Sequence, residues 1–88
     1  MPDTVTDVYI PILTDLRRRA GNRGFARYCF SDGLWVHLHY LDRHWTVVAY
    51  RQRGTPTMDD LHHIRAALRC PNACWHISGP VAVLMCDA

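Results

Sequence analysis

The chain has 88 residues, 49% of them apolar, enough for one domain (residues 1–88) with a thin core, since a domain this small buries only about 60% of its unfolded surface. That apolar content excludes a disordered chain, and no run approaches the ~20 continuous apolar residues of a membrane span. The net charge of +2 is too small to mark a nucleic-acid binder by itself.

The opening Met1-Pro2-Asp3-Thr4 lacks the basic start and apolar core of a signal peptide, so the expected compartment is the cytoplasm. Pro11 suits a first helical position, where its missing N–H would be unpaired anyway. Ile12, Leu13, Leu16 and Ala20 follow at helical spacing, and Gly21 is placed to end the helix. Phe25 to Phe30 is an aromatic-rich strand, with Cys29 as a small thiol inside it, and Ser31-Asp32-Gly33 is a turn. From Leu34 to Leu41 the residues alternate, Leu34, Val36, Leu38 and Tyr40 against Trp35, His37, His39 and Leu41. After the short Asp42-Arg43 connection, His44 to Arg51 alternates again, Trp45, Val47 and Ala49 against His44, Thr46, Val48 and Tyr50. Two short connections in succession predict an antiparallel meander.

A loop from Gln52 to Pro56 leads to Thr57, which is placed as an N-cap with Asp60 in the capping-box position. Met58, Leu61, Ile64, Ala67 and Leu68 form one apolar stripe, predicting an amphipathic helix over 58–69 that Pro71 ends. Trp75 to Ser78 and Val81 to Cys86 are short strands around Gly79-Pro80. The expected fold is α+β in the order α-β-β-β-α-β-β: a small antiparallel sheet, a three-strand meander plus one or two C-terminal strands, with two helices on one face.

Every basic residue is Arg and every acidic residue is Asp, with eight Arg against five Asp in residues 1–54 and two against three in residues 55–88. The basic end is mainly Arg17, Arg18, Arg19, Arg23 and Arg27. Its plain reading is positive charge at the end of a helix; its functional reading is a nucleic-acid contact. Arg23-Gly24-Phe25-Ala26-Arg27-Tyr28-Cys29-Phe30 resembles the RNA-recognition-motif signature at five specified positions. Arg27 stands where the second stacking aromatic belongs, and Tyr28 replaces an aliphatic residue. That signature lies on the third strand of its fold, after a full β-α-β unit, whereas the residues before Arg23 read as one helix.

Four Cys in a chain without a secretion signal read as free thiols. A zinc site, if one exists, would draw on Cys70, Cys74, His76 and Cys86, because Cys70 and Cys74 fall within ligand-pair spacing; no second short pair accompanies them, and the expectation is no metal and no cofactor. His37, His39 and His44 could gather on one strand face, but a half-exposed polar face accounts for them. With no Glu, no Gly-rich phosphate loop and no His-Glu-x-x-His, catalysis has no motif to rest on.

The segment from Trp45-x-Val47 through a strand ending at Arg51, a loop closing on Pro56-Thr57, Asp59-Asp60-Leu61, Ile64-Arg65 and Ala67-Leu68 resembles a segment of short phage-encoded domains of unknown function. The resemblance covers about a quarter of the chain, lapses after Pro71 and carries over no functional residue. It implies a context: a small phage-borne protein in the host cytoplasm that docks onto a host machine such as an antiviral CRISPR-type nuclease.

The combined expectation is a non-catalytic protein-binding module that works through one sheet face carrying Trp35, His37, His39, Thr46, Val48 and Tyr50. A chain this short cannot easily cover both faces of its sheet, and exposed Trp and Tyr are what binding hot spots are made of. The alternatives are homodimerisation through that face, nucleic-acid binding through the Arg cluster, and a small zinc-stabilised domain.

Overall fold

The structure, a computed structural model, describes residues 4–70 and 73–87; Pro71, expected to stop the second helix, lies outside them. The chain runs α1 (Thr4–Arg23), β1 (Phe25–Cys29), β2 (Leu34–Leu41), β3 (His44–Arg51), α2 (Met58–Leu68), β4 (His76–Ser78) and β5 (Val81–Asp87). This is the α+β class in the expected order. The five strands form one sheet in the spatial order β1-β2-β3-β5-β4, antiparallel throughout. The connection through α2 thus carries the chain past β3 and brings it back so that β5, not β4, pairs with β3.

The first helix differs from its sequence-based boundaries at both ends. It begins at Thr4 and holds Pro11 inside it. A proline there forfeits one backbone bond and crowds the preceding turn. The buried stripe Tyr9, Leu13, Leu16 and Ala20 begins one turn before Leu13, ahead of Pro11, and Tyr9 stacks on Phe30 with ring centroids 4.6 Å apart. Packing of Tyr9, ahead of the proline, offsets the local cost. At the other end Gly21 stays helical and Gly24 makes the exit, its N–H bonding Ala20 O at 2.6 Å and its φ of +84° being one that glycine adopts freely. Arg17, Arg18 and Arg19 therefore lie a turn before the helix end, and only Arg23 occupies the last turn.

The second helix starts as its sequence announces. Thr57 is the N-cap; its hydroxyl accepts from Asp60 N at 3.1 Å while Asp60 Oδ2 accepts from Thr57 N at 2.8 Å. Arg69 closes the helix in the left-handed region at φ 57°. Between β2 and β3 the two turn residues Asp42 and Arg43 both take positive φ, 52° and 66°, the pattern of a type I′ hairpin built without glycine.

Both helices lie on one face of the sheet. Against them are buried Leu34, Val36 and Leu38 of β2, Trp45, Val47 and Ala49 of β3, and Ala82, Leu84 and Cys86 of β5, together with Leu61, Ile64, Ala67 and Leu68 of α2. The period-two alternation of each strand thus assigns one residue set to the core and the other to the opposite face. Arg51, at the end of β3, joins sheet to helix layer: its Nε and Nη2 each donate at 2.8 Å to the buried carboxylate of Asp60, and Nη2 also reaches Asp32 Oδ2 at 3.1 Å. Trp75 anchors the return from α2, its Nε1 donating to Leu61 O at 3.1 Å.

Candidate partner-binding face

The face opposite the helices is built from the other half of each alternation. Cross-strand pairing sets its rows: Phe25 beside His39 and then Thr46 and Met85; Arg27 beside His37, Val48, Val83 and His76; Cys29 beside Trp35 and then Tyr50. No described helix or loop covers these rows. Trp35, His37, Thr46, Val48 and Tyr50 are half-buried by their neighbours within the sheet, and His39 is exposed. All five residues expected to contact a partner, Trp35, His37, His39, Thr46 and Tyr50, therefore lie on one surface.

Within the face the aromatic groups organise one another. Trp35 and Tyr50, directly paired across β2 and β3, lie nearly parallel (13°) with centroids 6.3 Å apart. The Tyr50 hydroxyl and His37 Nε2 share a hydrogen bond of 2.9 Å, and the Arg27 guanidinium carbon lies 5.8 Å from the Trp35 ring centroid, within cation–π range. Phe25 packs between His37 and His39, with centroids 5.7 and 4.7 Å away. Burial, with the neighbouring His39 and Arg27, pushes the His37 pKa down, favouring the uncharged imidazole. The result is a flat aromatic platform whose side chains are already held, so ordering them on binding costs less entropy.

The Arg residues of the sequence cluster are distributed over both faces of the molecule. Arg18 and Arg19 pair with Asp15 on their own helix. Arg17 lies over the Trp45 ring at 5.1 Å and reaches Leu68 O, on the helix side. Arg27 belongs to the open sheet face, and Arg23 lines a groove at one end of it. The octapeptide from Arg23 to Phe30 lies on an edge strand: Phe25, Arg27 and Cys29 face the open side, while Ala26 is buried on the helix side with Tyr28 and Phe30 packed against the core.

The four candidate zinc ligands are not gathered. Cys86 is buried in the core, Cys70 is half-buried, and Cys74 and His76 are exposed; no group of three or more His, Cys, Asp or Glu able to hold a metal ion exists among the described residues. His37, His39 and His44 form no such group either. Nor is any helix among the described residues long and apolar enough to cross a membrane.

Phe25, Leu41 and Met85 belong to the same open face and were not foreseen as contacts. Leu41 and Phe25 were legible as positions in their strands' alternation. Met85 was not, because its place beside Thr46 depends on β5 being inserted next to β3. No protein-family model, no curated protein and no solved structure matches the chain.

Proposed function

We propose that this chain is a non-catalytic protein-binding module that docks its partner through the open face of the sheet. One observation carries the reading: a five-stranded sheet has both helices on one side, while the other presents Trp35, Tyr50, Phe25, Val48, Val83 and Met85. Five strands about 4.8 Å apart and averaging about 6 residues span roughly 500 Å² in projection. Side-chain relief adds to that, bringing it toward the ~800 Å² per partner of a standard interface. Tyr and Trp at the centre, already fixed by neighbours, are the residue types that concentrate binding energy. The resemblance of residues 45–68 supports a narrower form of this reading, in which a phage-borne module occludes a host complex such as a CRISPR-type nuclease.

The test is capture of partners from host lysate by the immobilised chain, with three variants alongside the wild type. Trp35→Ala and Tyr50→Ala should each weaken a specific partner about 30-fold, the equivalent of a 2 kcal/mol hot spot. Val8→Ser, on the exposed side of α1, should leave it bound. A partner indifferent to both sheet-face changes, or one lost with Val8→Ser, would refute the proposal. So would tight nucleic-acid binding by the isolated protein that falls steeply with salt.

A further inference from the structure

The sheet ends on one side at β1, and the hydrogen bonds joining β1 to β2 fix which of its backbone groups point away from the sheet. Tyr40 N donates to Gly24 O at 2.9 Å and Phe30 N to Leu34 O at 2.8 Å. Phe25 lies opposite His39 and Cys29 opposite Trp35. Hydrogen-bonded and non-hydrogen-bonded pairs alternate along an antiparallel ladder, so Gly24, Ala26, Tyr28 and Phe30 turn their N–H and C=O groups toward β2. Phe25, Arg27 and Cys29 turn theirs outward. Three donors and three acceptors thus line an edge that no described strand pairs with. The opposite edge, β4, is three residues long and offers a shorter ladder.

An unpaired edge is a template for another chain, and the residues of β1 restrict which chain it takes. A second copy is a poor match. In the antiparallel self-pairing that uses all three outward residues, each Arg27 stands directly opposite its own counterpart, and like charges so placed destabilise a ladder. Any shifted register leaves one of the three residues of each chain unpaired. For a different chain the edge is ready. Ala26 is buried and Tyr28 packs against the core, which holds β1 in place from the helix side, so little ordering of the strand has to accompany binding.

Resting on the protein-binding reading, we infer that β1 pairs with an extended, proline-free segment of the partner protein, which adds a sixth strand to the sheet. Its residues opposite Phe25, Arg27 and Cys29 lie on the open face and continue the rows of that face beyond β1. Those between them fall on the helix side, beside Ala26 and Tyr28. In such strand addition the main-chain bonds supply affinity and the alternate side chains supply specificity. A β-branched or aromatic residue suits the place opposite Phe25, which is 40% exposed, and Lys or Arg is excluded opposite Arg27. A nucleic acid lacks the alternating amide N–H and C=O groups that this edge matches, and a helical segment has already used its own.

The experiment pans a phage-displayed random dodecapeptide library on the full chain and measures an enriched, fluorescein-labelled peptide by anisotropy. Single N-methylation is then moved along the peptide, deleting one amide N–H at a time. Losses of about tenfold, the equivalent of one unmade hydrogen bond, should recur at every second residue of the bound stretch, with the residues between tolerated. On the protein, Arg27→Pro removes an outward N–H that no bond of the fold uses, a change that edge strands tolerate; it should weaken the peptide by about tenfold, whereas Arg27→Ala, which keeps the N–H, should not. Unchanged melting temperatures would certify both variants as folded, and the N-methyl scan decides by itself if Arg27→Pro disturbs the sheet. Losses at consecutive positions or at none, the absence of enrichment, or equal effects of Arg27→Ala and Arg27→Pro in folded variants overturn the inference. Peptides that lack the alternation but are lost with Trp35→Ala or Tyr50→Ala overturn it while leaving the protein-binding face intact. Absence of the alternation together with indifference to both sheet-face changes fails the two readings together.

Discussion

Removing the Arg51 guanidinium should be among the most damaging single changes available outside the apolar core. Asp60 is only 6% exposed. Its carboxylate survives burial because Arg51 donates to both oxygens at 2.8 Å and the Thr57 N–H donates to one. Burial alone would raise the Asp60 pKa, but the hydrogen bonds from Arg51 and Thr57 outweigh it and hold the pKa below the ordinary carboxylate value; in return, Asp60 pushes the Arg51 pKa up. Breaking a buried pair by deleting one partner costs about 3–5 kcal/mol. The Arg51 side chain retains 19% exposure, so water can reach the orphaned carboxylate and the lower end, about 3 kcal/mol, applies to Arg51→Ala. A domain of this length has a total stability of about 4–13 kcal/mol, so the melting temperature should fall by roughly 12–24 °C.

Urea unfolding followed by Trp fluorescence on Arg51→Ala, Asp60→Ala and the double variant would isolate the pairwise energy, expected at about 2 kcal/mol. Acid gives an independent readout. Because the folded pKa of Asp60 is depressed, its contribution is complete above the unfolded value of about 3.9 and is lost as pH falls through the folded pKa. The wild type should therefore lose stability more steeply than Asp60→Asn between about pH 4 and pH 2. A cost under about 1 kcal/mol for Arg51→Ala, or parallel acid curves for wild type and Asp60→Asn, would refute the account, since both follow from an uncompensated buried charge.

The other predictions concern separate parts of the fold. Thr57→Ala should cost about 1 kcal/mol through the lost cap and Ile64→Ala about 2–5 kcal/mol through the core, both measured by denaturant unfolding. Gly21→Ala should stabilise the protein by about 0.5–1 kcal/mol, because Gly21 is helical and an added Cβ would meet only Trp45, in ordinary contact at 3.7 Å; a lower melting temperature would mean that α1 ends before it. For His37, an NMR titration should show a midpoint below the ordinary imidazole value of 6.5. Its share of stability then declines as pH falls from the unfolded pKa toward the depressed folded one, since the unfolded chain binds the proton more readily. Elemental analysis of protein purified without chelator should find well under one zinc per chain, and Cys74→Ser should leave the melting temperature unchanged.

Sequence alone determined the features that rest on short-range periodicity and local chemistry. Leu34, Val36 and Leu38 against Trp35, His37 and His39 assigned the two faces of β2, because side chains alternate along any strand whatever it pairs with. Thr57 and Asp60 fixed the start of α2, because a capping box closes within one turn. Tertiary structure decided where α1 begins, because packing of Tyr9 on Phe30 outweighs the local objection of Pro11 to an earlier start. It also decided the fate of the Arg cluster: residues adjacent along α1 and β1 diverge once the helix packs on one face of the sheet and Arg27 points out of the other. The insertion of β5 between β3 and β4 places Met85 beside Thr46 on the open face. No local pattern encodes that juxtaposition, because it pairs Thr46 with Met85 across the whole of α2 and β4.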